Sequence, residues 1–186
     1  CPTCAIMNGF GGAGAFSDGK YNITNDFGGT LYEYICKDKA IELMKYVDVC
    51  IANEEDAEKV FGIHAANTDV TGGKISDEGY KDVARQLVER FGCSHIAITL
   101  RESISADKNG WSAVLSGKTG FYKSKKYAID DIIDRVGGGD SFSAGMIYGL
   151  QEYATDEQQA LEYAVAASCL KHTIPGDFNL TRKSEV

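Results

Sequence analysis

The stretch DRVGGGDSFSAG, from Asp134 to Gly145, places three consecutive glycines between two aspartates, directly ahead of a helix-like segment. The extended run YAIDDII precedes it, so the local order is strand, glycine turn and helix. In sheets built from such units, ligands bind beyond the carboxyl ends of the strands, where the next helix begins. The stretch therefore predicts an α/β fold and also the position of a ligand site within it.

Strand-like and helix-like segments alternate along the rest of the chain. Apolar residues at helical spacing predict the helices, and short apolar runs predict the strands. The predicted elements are a helix capped by Asp38, a strand at 48–52, helices at 54–62 and 76–92, a strand at 95–100, a hairpin turning at 117–120, the extended YAIDDII, and helices at 140–153 and 156–172. This order indicates a parallel sheet covered on both faces.

The composition indicates a globular protein and restricts its partners. The chain has 186 residues, 44% of them hydrophobic, which is enough to bury a core. A net charge of -8 argues against a broad surface for nucleic acid or anionic membrane, so any phosphate binding must be local. No apolar run approaches the roughly 20 residues that span a bilayer, and no signal-peptide pattern is visible, so we expect a cytoplasmic protein.

Three other patterns resemble ligand sites, but each lacks a necessary part. Cys1 and Cys4 have no second pair to complete a zinc site, and the isolated Cys50 and Cys93 are predicted to be buried. The GFGGAG run at 9–14 has no strand before it, and GAFSDGK at 14–20 is followed by tyrosine where a P-loop needs serine or threonine. We therefore place phosphate binding at the triglycine stretch.

A glycine run at the start of a helix is suited to binding an anion. Glycine lets the backbone approach a ligand closely, and the first N–H groups of the helix add positive potential. Asp140 at the mouth of this site is explained if its carboxylate accepts the proton of an attacking hydroxyl during phosphoryl transfer. The alternative is that Asp140 only caps the helix and the glycines form a tight turn.

The run from Asp134 to Asp140 resembles the signature of the ribokinase-like (PfkB) sugar kinases, Asp-Thr-x-Gly-Ala-Gly-Asp. Arg135 and Gly138 depart from its commonest form, and with SFSAG they resemble the 2-keto-3-deoxygluconate kinase branch of that family. Three more stretches resemble this branch in the family's order, namely YVDVCIANEEDAEKVFGI, HIAITLRESIS and CLKHTIPGDFNLTRKSEV. The resemblance covers about residues 38–186.

The resemblance implies a ribokinase-like, three-layer αβα fold with a mainly parallel central sheet, here lacking the amino-terminal strands and the lid. Residues 38–186 would form the carboxy-terminal, nucleotide-binding and phosphoryl-transfer part, whereas residues 1–37 are loop-like and unassigned. The family's sugar-binding elements are not recognisable in that first segment. The chain is therefore expected to be a fragment, a join of pieces from a longer chain or a divergent remnant, and catalysis by it alone is doubtful.

The implied activity is that of a carbohydrate kinase using ATP and Mg²⁺ to phosphorylate the terminal hydroxyl of a sugar acid, 2-keto-3-deoxygluconate. Two alternatives remain because the residues that select the sugar are missing. The chain could belong to a fructokinase or another sugar kinase of the fold, or it could be a non-catalytic nucleotide-binding fragment. The expected partner is a small-molecule sugar or sugar acid. A homo-oligomer stays open, because the lid often forms the dimer contact in relatives.

The same resemblance assigns the residues of phosphoryl transfer. The proposed catalytic set is Asp140, Gly137, Gly138 and Gly139. Asp140 would be the base, and the glycine N–H groups would stabilise charge on the transferring phosphoryl group. Asn53 and Asp56 match an element that holds water and Mg²⁺, with Asp56 one methylene shorter than the usual glutamate. An acid-rich helix start is the alternative for that segment.

The nucleotide-side residues are also implied by resemblance. Thr99 and Arg101 match the strand end beside the phosphates, and Arg101 could pair with phosphate oxygens or with an acid such as Glu102. Asp134 would orient the loop or a bound cation. The last helix places Ser168 and His172 near the adenine of relatives, although His172 could equally be a plain surface histidine.

Overall fold

The computed structural model describes residues 37–53, 77–105 and 107–186. The described residues fall into two compact units, divided between Met44 and Lys45. The first unit includes α1 (Lys37–Glu42), and a 3-10 turn (Leu43–Tyr46) spans the division. Asp38 lies in the first turn of α1. The helix predicted at 54–62 lies outside the described residues.

The second unit is organised around a five-stranded sheet. Its strands are β1 (Val49–Asn53), β2 (His95–Ser103), β3 (Asn109–Ser116), β4 (Phe121–Lys123) and β5 (Tyr127–Ile129). β1 pairs in parallel with β2, and β2 pairs antiparallel with β3. β4 and β5 both pair antiparallel with β3. Each strand predicted within the described ranges is therefore present, including the hairpin. Among these strands, β1 and β2 form the parallel pair.

Helices cover both faces of this sheet. α2 (Asp77–Phe91) packs against β2 and β3, while α3 (Gly138–Glu152) and α4 (Glu157–Lys171) pack against each other and α4 contacts β3. Side chains alternate between the faces of a strand. Ala97 and Leu115 accordingly join Phe142 of α3 in one core, and their neighbours Ile96 and Val114 are buried on the face that α2 covers. This confirms the predicted α/β layering.

The close contact between α3 and α4 depends on two glycines. A Cβ on Gly145 would lie 2.9 Å from Cα of Ala164, and a Cβ on Gly149 would lie 2.8 Å from the carbonyl oxygen of Ala160. Larger residues would force the helices apart and open the core between them. No helix in the described ranges is long and apolar enough to cross a bilayer. Cys50 and Cys93 are buried free thiols, as predicted.

The edge formed by β4 and β5 contains a β-bulge. Between the part of β3 that pairs with β4 and the part that pairs with β5, β3 has two residues. The chain that joins β4 to β5 has three residues there, Ser124 to Lys126. Ser124 repairs the ladder, because its N–H donates to the Ala113 carbonyl and its Oγ accepts from the Ala113 N–H, both at 3.0 Å. Side chains of α4 cover the same edge: Gln158 donates to the Lys123 carbonyl, and Glu162 accepts from the Lys125 N–H.

Candidate active site

The triglycine stretch lies where the sequence predicts, at the start of α3. The helix begins at Gly138, two residues earlier than predicted, and its N-cap is Gly137, which makes no side-chain cap hydrogen bond. Asp140 is exposed and lies in the first turn. The alternative that Asp140 is merely the helix N-cap is therefore wrong.

The geometry of the loop explains why glycine is needed at its start. Gly137 has a φ of 77°, in the left-handed region that side chains disfavour. A Cβ there would also overlap the carbonyl oxygen of Asp177. Gly139 differs, because a Cβ on it would meet no atom within 4 Å. The loop is thus packed tightly at Gly137 and open at Gly139, where a ligand could approach the backbone.

Asp134 fixes the loop through its carboxylate. One oxygen accepts from the Val136 N–H at 2.9 Å and the other from the Gly176 N–H at 2.8 Å. These hydrogen bonds, first from Val136 and then from Gly176, lower the pKa of Asp134. The geometry favours the loop-orienting role among the two predicted for this residue. The carboxylate joins the loop to the turn that follows α4.

Ser168 and His172 form a wall behind the glycines. They are 0% and 3% exposed, so the interpretation of His172 as a surface histidine is wrong. The Ser168 hydroxyl donates to the Gly138 carbonyl oxygen at 2.8 Å, and Nδ1 of His172 lies 2.8 Å from the Ser168 carbonyl oxygen. Both side chains therefore hold the loop from inside the protein, and their contact with a nucleotide stays a prediction.

Two guanidinium groups lie near this wall. Arg135 donates to the carbonyl oxygen of Ser105 at 3.0 Å and to Oδ1 of Asn109 at 3.4 Å. Burial lowers the pKa of His172, and Arg135 and Arg101 contribute to the lowering through their charge. Glu102, considered as a partner of Arg101, forms its ion pair with Lys126 instead. Arg135 and Arg101 therefore place positive charge near a loop that also contains the carboxylates of Asp134 and Asp140.

The pairing of β1 with β2 brings Asn53, at the end of β1, beside Thr99 in the middle of β2. They are paired in register at the carboxyl end of β1, and the Thr99 hydroxyl donates to the Ala52 carbonyl oxygen at 3.4 Å. Asp56 lies outside the described residues. Within the described ranges, no group of three His, Cys, Asp or Glu side chains is placed to hold a metal. The assignment of Mg²⁺ to Asn53 and Asp56 therefore stays a prediction.

Asn109 was not predicted as a site residue, and Arg135 was noted only as a departure from the family signature. Asn109 is 1% exposed, and its Nδ2 has no hydrogen-bond partner in the part of the chain that the structure describes. The same holds for Nε1 of Trp111, whose ring lies 5.4 Å from that of His172. Nothing in the local sequence marks Asn109, because its place beside Arg135 depends on the pairing of β3 with β5, the strand that precedes the loop.

Comparisons with known proteins agree with this geometry. A model of the pfkB family carbohydrate kinases matches residues 15–181. No curated protein sequence matches. Among solved structures, the chain is similar to 2-dehydro-3-deoxygluconokinase from Thermotoga maritima, with 45% identity, a TM-score of 0.70, and coverage of 78% of this chain and 41% of that one.

Two further structures are similar over comparable lengths. A PfkB family carbohydrate kinase from Listeria grayi has 29% identity and a TM-score of 0.62, covering 77% of this chain and 41% of that one. Adenosine kinase from Sinorhizobium meliloti, at 17% identity and a TM-score of 0.56 over 80% of this chain and 38% of that one, shares the fold. The chain thus spans about two fifths of these relatives. Because the family model covers most of its length, the chain belongs to the PfkB family of carbohydrate kinases.

Proposed function

We propose that the protein transfers the γ-phosphoryl group of ATP to the terminal hydroxyl of 2-keto-3-deoxygluconate. The observation that carries the proposal is an exposed Asp140 in the first turn of a helix that starts with glycines rather than a side-chain cap. Family membership supports the class of reaction. The 45% identity with the 2-dehydro-3-deoxygluconokinase of Thermotoga maritima supports that branch of the family and, through it, the sugar acid as acceptor.

The described residues suit a nucleotide polyphosphate. Arg101 and Arg135 place positive charge beside the loop, and the amino-terminal end of α3 adds to it. The space in front of Gly139 is open, and the buried donors of Asn109 and Trp111 lack acceptors within the described ranges. ATP, when bound, would supply the phosphoryl group, and Mg²⁺ would neutralise part of its charge. Asn53 and Asp56 are the residues that we assign to the metal.

In this proposal each part of the loop has a separate task. Asp140 accepts the proton of the sugar hydroxyl as that oxygen attacks, which is general base catalysis. The N–H groups of Gly137 and Gly139 stabilise negative charge on the transferring group, whereas the N–H of Gly138 donates to the Arg135 carbonyl oxygen at 3.3 Å. Asp134 and Ser168 hold that orientation through the hydrogen bonds described above. We assign residues 38–186 to this nucleotide-binding and phosphoryl-transfer part.

A coupled assay of ADP release tests the proposal. The intact polypeptide, with its mass verified, would be given ATP and Mg²⁺ with 2-keto-3-deoxygluconate and fructose as parallel acceptors, and ADP binding would be measured by calorimetry. Selective turnover of the sugar acid is expected. Preference for fructose would overturn the proposed substrate. ADP binding without turnover would indicate a non-catalytic nucleotide-binding chain. A chain that neither binds ADP nor turns over an acceptor would overturn the proposed function.

A further inference from the structure

We propose that His172 is a positioning residue for phosphoryl transfer, with its buried imidazole ring serving as the support on which Gly138 rests. The inference rests on the proposed function, because it concerns the same site. It goes beyond that function by assigning catalytic importance to a side chain that does not reach the reacting atoms. It also explains why glycine stands at position 138.

The ring of His172 is packed directly against Gly138. A Cβ on Gly138 would lie 3.0 Å from Cε1 and 3.4 Å from Nε2 of the imidazole, so a methyl group there would require the ring to move by a few tenths of an ångström. The ring is held from its other sides by the Ser168 carbonyl and by the Trp111 ring. The commonest family signature has alanine at this position, so the imidazole occupies the space that the alanine methyl group would need.

The backbone of His172 holds the other end of the same loop. Its carbonyl oxygen accepts from the N–H of Ile133 at 2.9 Å and from that of Asp134 at 3.3 Å. The side chain supports Gly138 at the start of α3, and the Ser168 hydroxyl binds the Gly138 carbonyl. A single residue at the end of α4 therefore contacts both ends of the loop that is proposed to bind the phosphoryl group.

The surroundings of the ring favour a neutral imidazole. Burial lowers the pKa of His172, and Lys171 of α4, Arg135 of the loop and Arg101 of β2 add to the lowering. Only the Ser168 carbonyl opposes them. The neutral ring donates from Nδ1 to that carbonyl. A proton on Nε2 would add a charge to a buried ring that already lies near three cations.

A double-mutant cycle tests the contact. We expect Gly138→Ala and His172→Ala each to lower kcat by roughly 100-fold, because small displacements of a positioned group have effects of this size. The double variant should recover at least tenfold over Gly138→Ala, since truncating the ring makes space for the methyl group. The loss of kcat should exceed any loss of ADP affinity in all three variants, which separates support of Gly138 from the nucleotide contact predicted for His172. His172→Gln, which keeps a donor for Ser168, should retain more activity than His172→Ala.

Leu161→Ala serves as the control, because it truncates a fully buried side chain of α4 that belongs to the main core. It should lower thermal stability and leave kcat within threefold. Equal loss of kcat in Leu161→Ala and His172→Ala would overturn the inference, as would additive effects of the two site substitutions or unchanged kcat in both. If the wild-type chain turns over no acceptor, the proposed function fails first, and this inference fails with it.

Discussion

The two helices that pack together on one face of the sheet begin in opposite ways. The N-cap of α4 is Asp156, whose side chain accepts from the Gln159 N–H at 2.9 Å. The N-cap of α3 is Gly137, which offers no side chain. A side-chain cap binds the first N–H groups of its helix, whereas a glycine cap offers no side chain to bind them and leaves room for a ligand. The comparison separates a helix start that stabilises the fold from one that is suited to chemistry.

Glu157, the residue after the α4 cap, extends this contrast. Its carboxylate is 7% exposed and accepts from the N–H groups of Lys118 and Thr119 and from the Thr119 hydroxyl, at 2.9, 3.2 and 2.6 Å. Nε2 of His95 lies 3.1 Å away. Asp140 of α3, by contrast, is exposed. One acid therefore joins the helix to the β3–β4 turn and to β2, while the other is exposed in the first turn of its helix.

The largest effect is expected from removing the charge at the start of α3. Asp140→Asn should lower kcat on the order of 1,000-fold, because a general base contributes about that much. ADP affinity should stay within threefold, since the shape of the side chain is kept. Coupled kinetics measures kcat, and calorimetry measures ADP affinity. Asp131→Asn, which removes the same charge from an exposed residue ahead of the loop, is the control. Unchanged turnover in Asp140→Asn would exclude it as the base.

Next in size is the conformational requirement at the uncapped start. Gly137→Ala should lower the free energy of unfolding by roughly 3 kcal/mol, because it adds left-handed strain to an overlap with the Asp177 carbonyl. Gly139→Ala meets no atom within 4 Å and should be neutral or slightly stabilising in a helix. Urea denaturation compares the two. Equal stability of both variants would contradict this account of the loop.

On the capped side, Glu157→Gln should lower the free energy of unfolding by about 2 kcal/mol, because buried hydrogen bonds to a charged group are weakened. Burial alone would raise the pKa of Glu157, but the bonds from Thr119, Lys118 and His95 outweigh it and lower the pKa. The stabilisation is therefore present above the ordinary value of 4.5 and is lost as the pH falls through the lower folded value. Denaturation at pH 7 and pH 3 measures it.

The matched control for that substitution is Glu89→Gln. Glu89 is exposed and pairs with Arg85 on α2, so its loss should change stability by no more than about 0.5 kcal/mol. A difference between wild type and Glu157→Gln that persists unchanged at pH 3 would show that packing, and not the charged hydrogen bonds, accounts for the effect.

The smallest effect is expected at the cap itself. Asp156→Ala should lower stability by about 1 kcal/mol, the usual cost of losing an N-cap acceptor. Asp156→Ser should recover most of it, because serine also accepts at this position. Thermal unfolding compares the stabilities of wild type, Asp156→Ser and Asp156→Ala. The kcat should stay within twofold of wild type in both variants. A large loss of kcat would mean that the two helix starts are not functionally separate.

Local patterns predict most of what the structure confirms. Asp156 was placed at the start of α4 and is its N-cap, and the strands and the hairpin lie where alternation and glycines indicated. Helix α3 begins two residues before its predicted start. Gly138 and Gly139 are helical because Gly137 adopts a left-handed conformation against Asp177. Propensity scales alone disfavour glycine in helices.

The candidate site was less predictable, because its second layer joins residues far apart in sequence. His172 looked like a surface residue, yet Trp111 and Gly138 enclose it from β3 and α3. Arg135 contacts Asn109 across 26 positions of sequence, and the pairing of β3 with β5 brings them together. The roles of the catalytic and nucleotide-side residues were reached by resemblance to a family signature, and those roles stay predictions.

The bulged edge of the sheet bears on how the chain behaves at high concentration. A regular exposed edge strand is a template on which a second chain can add a strand, and such pairing begins aggregation. Here the Lys123 carbonyl and the Lys125 N–H are already bound by side chains of α4. The bulge interrupts the remaining ladder, and exposed Lys125 and Lys126 place charge along it. This edge therefore resists strand addition and favours colloidal stability.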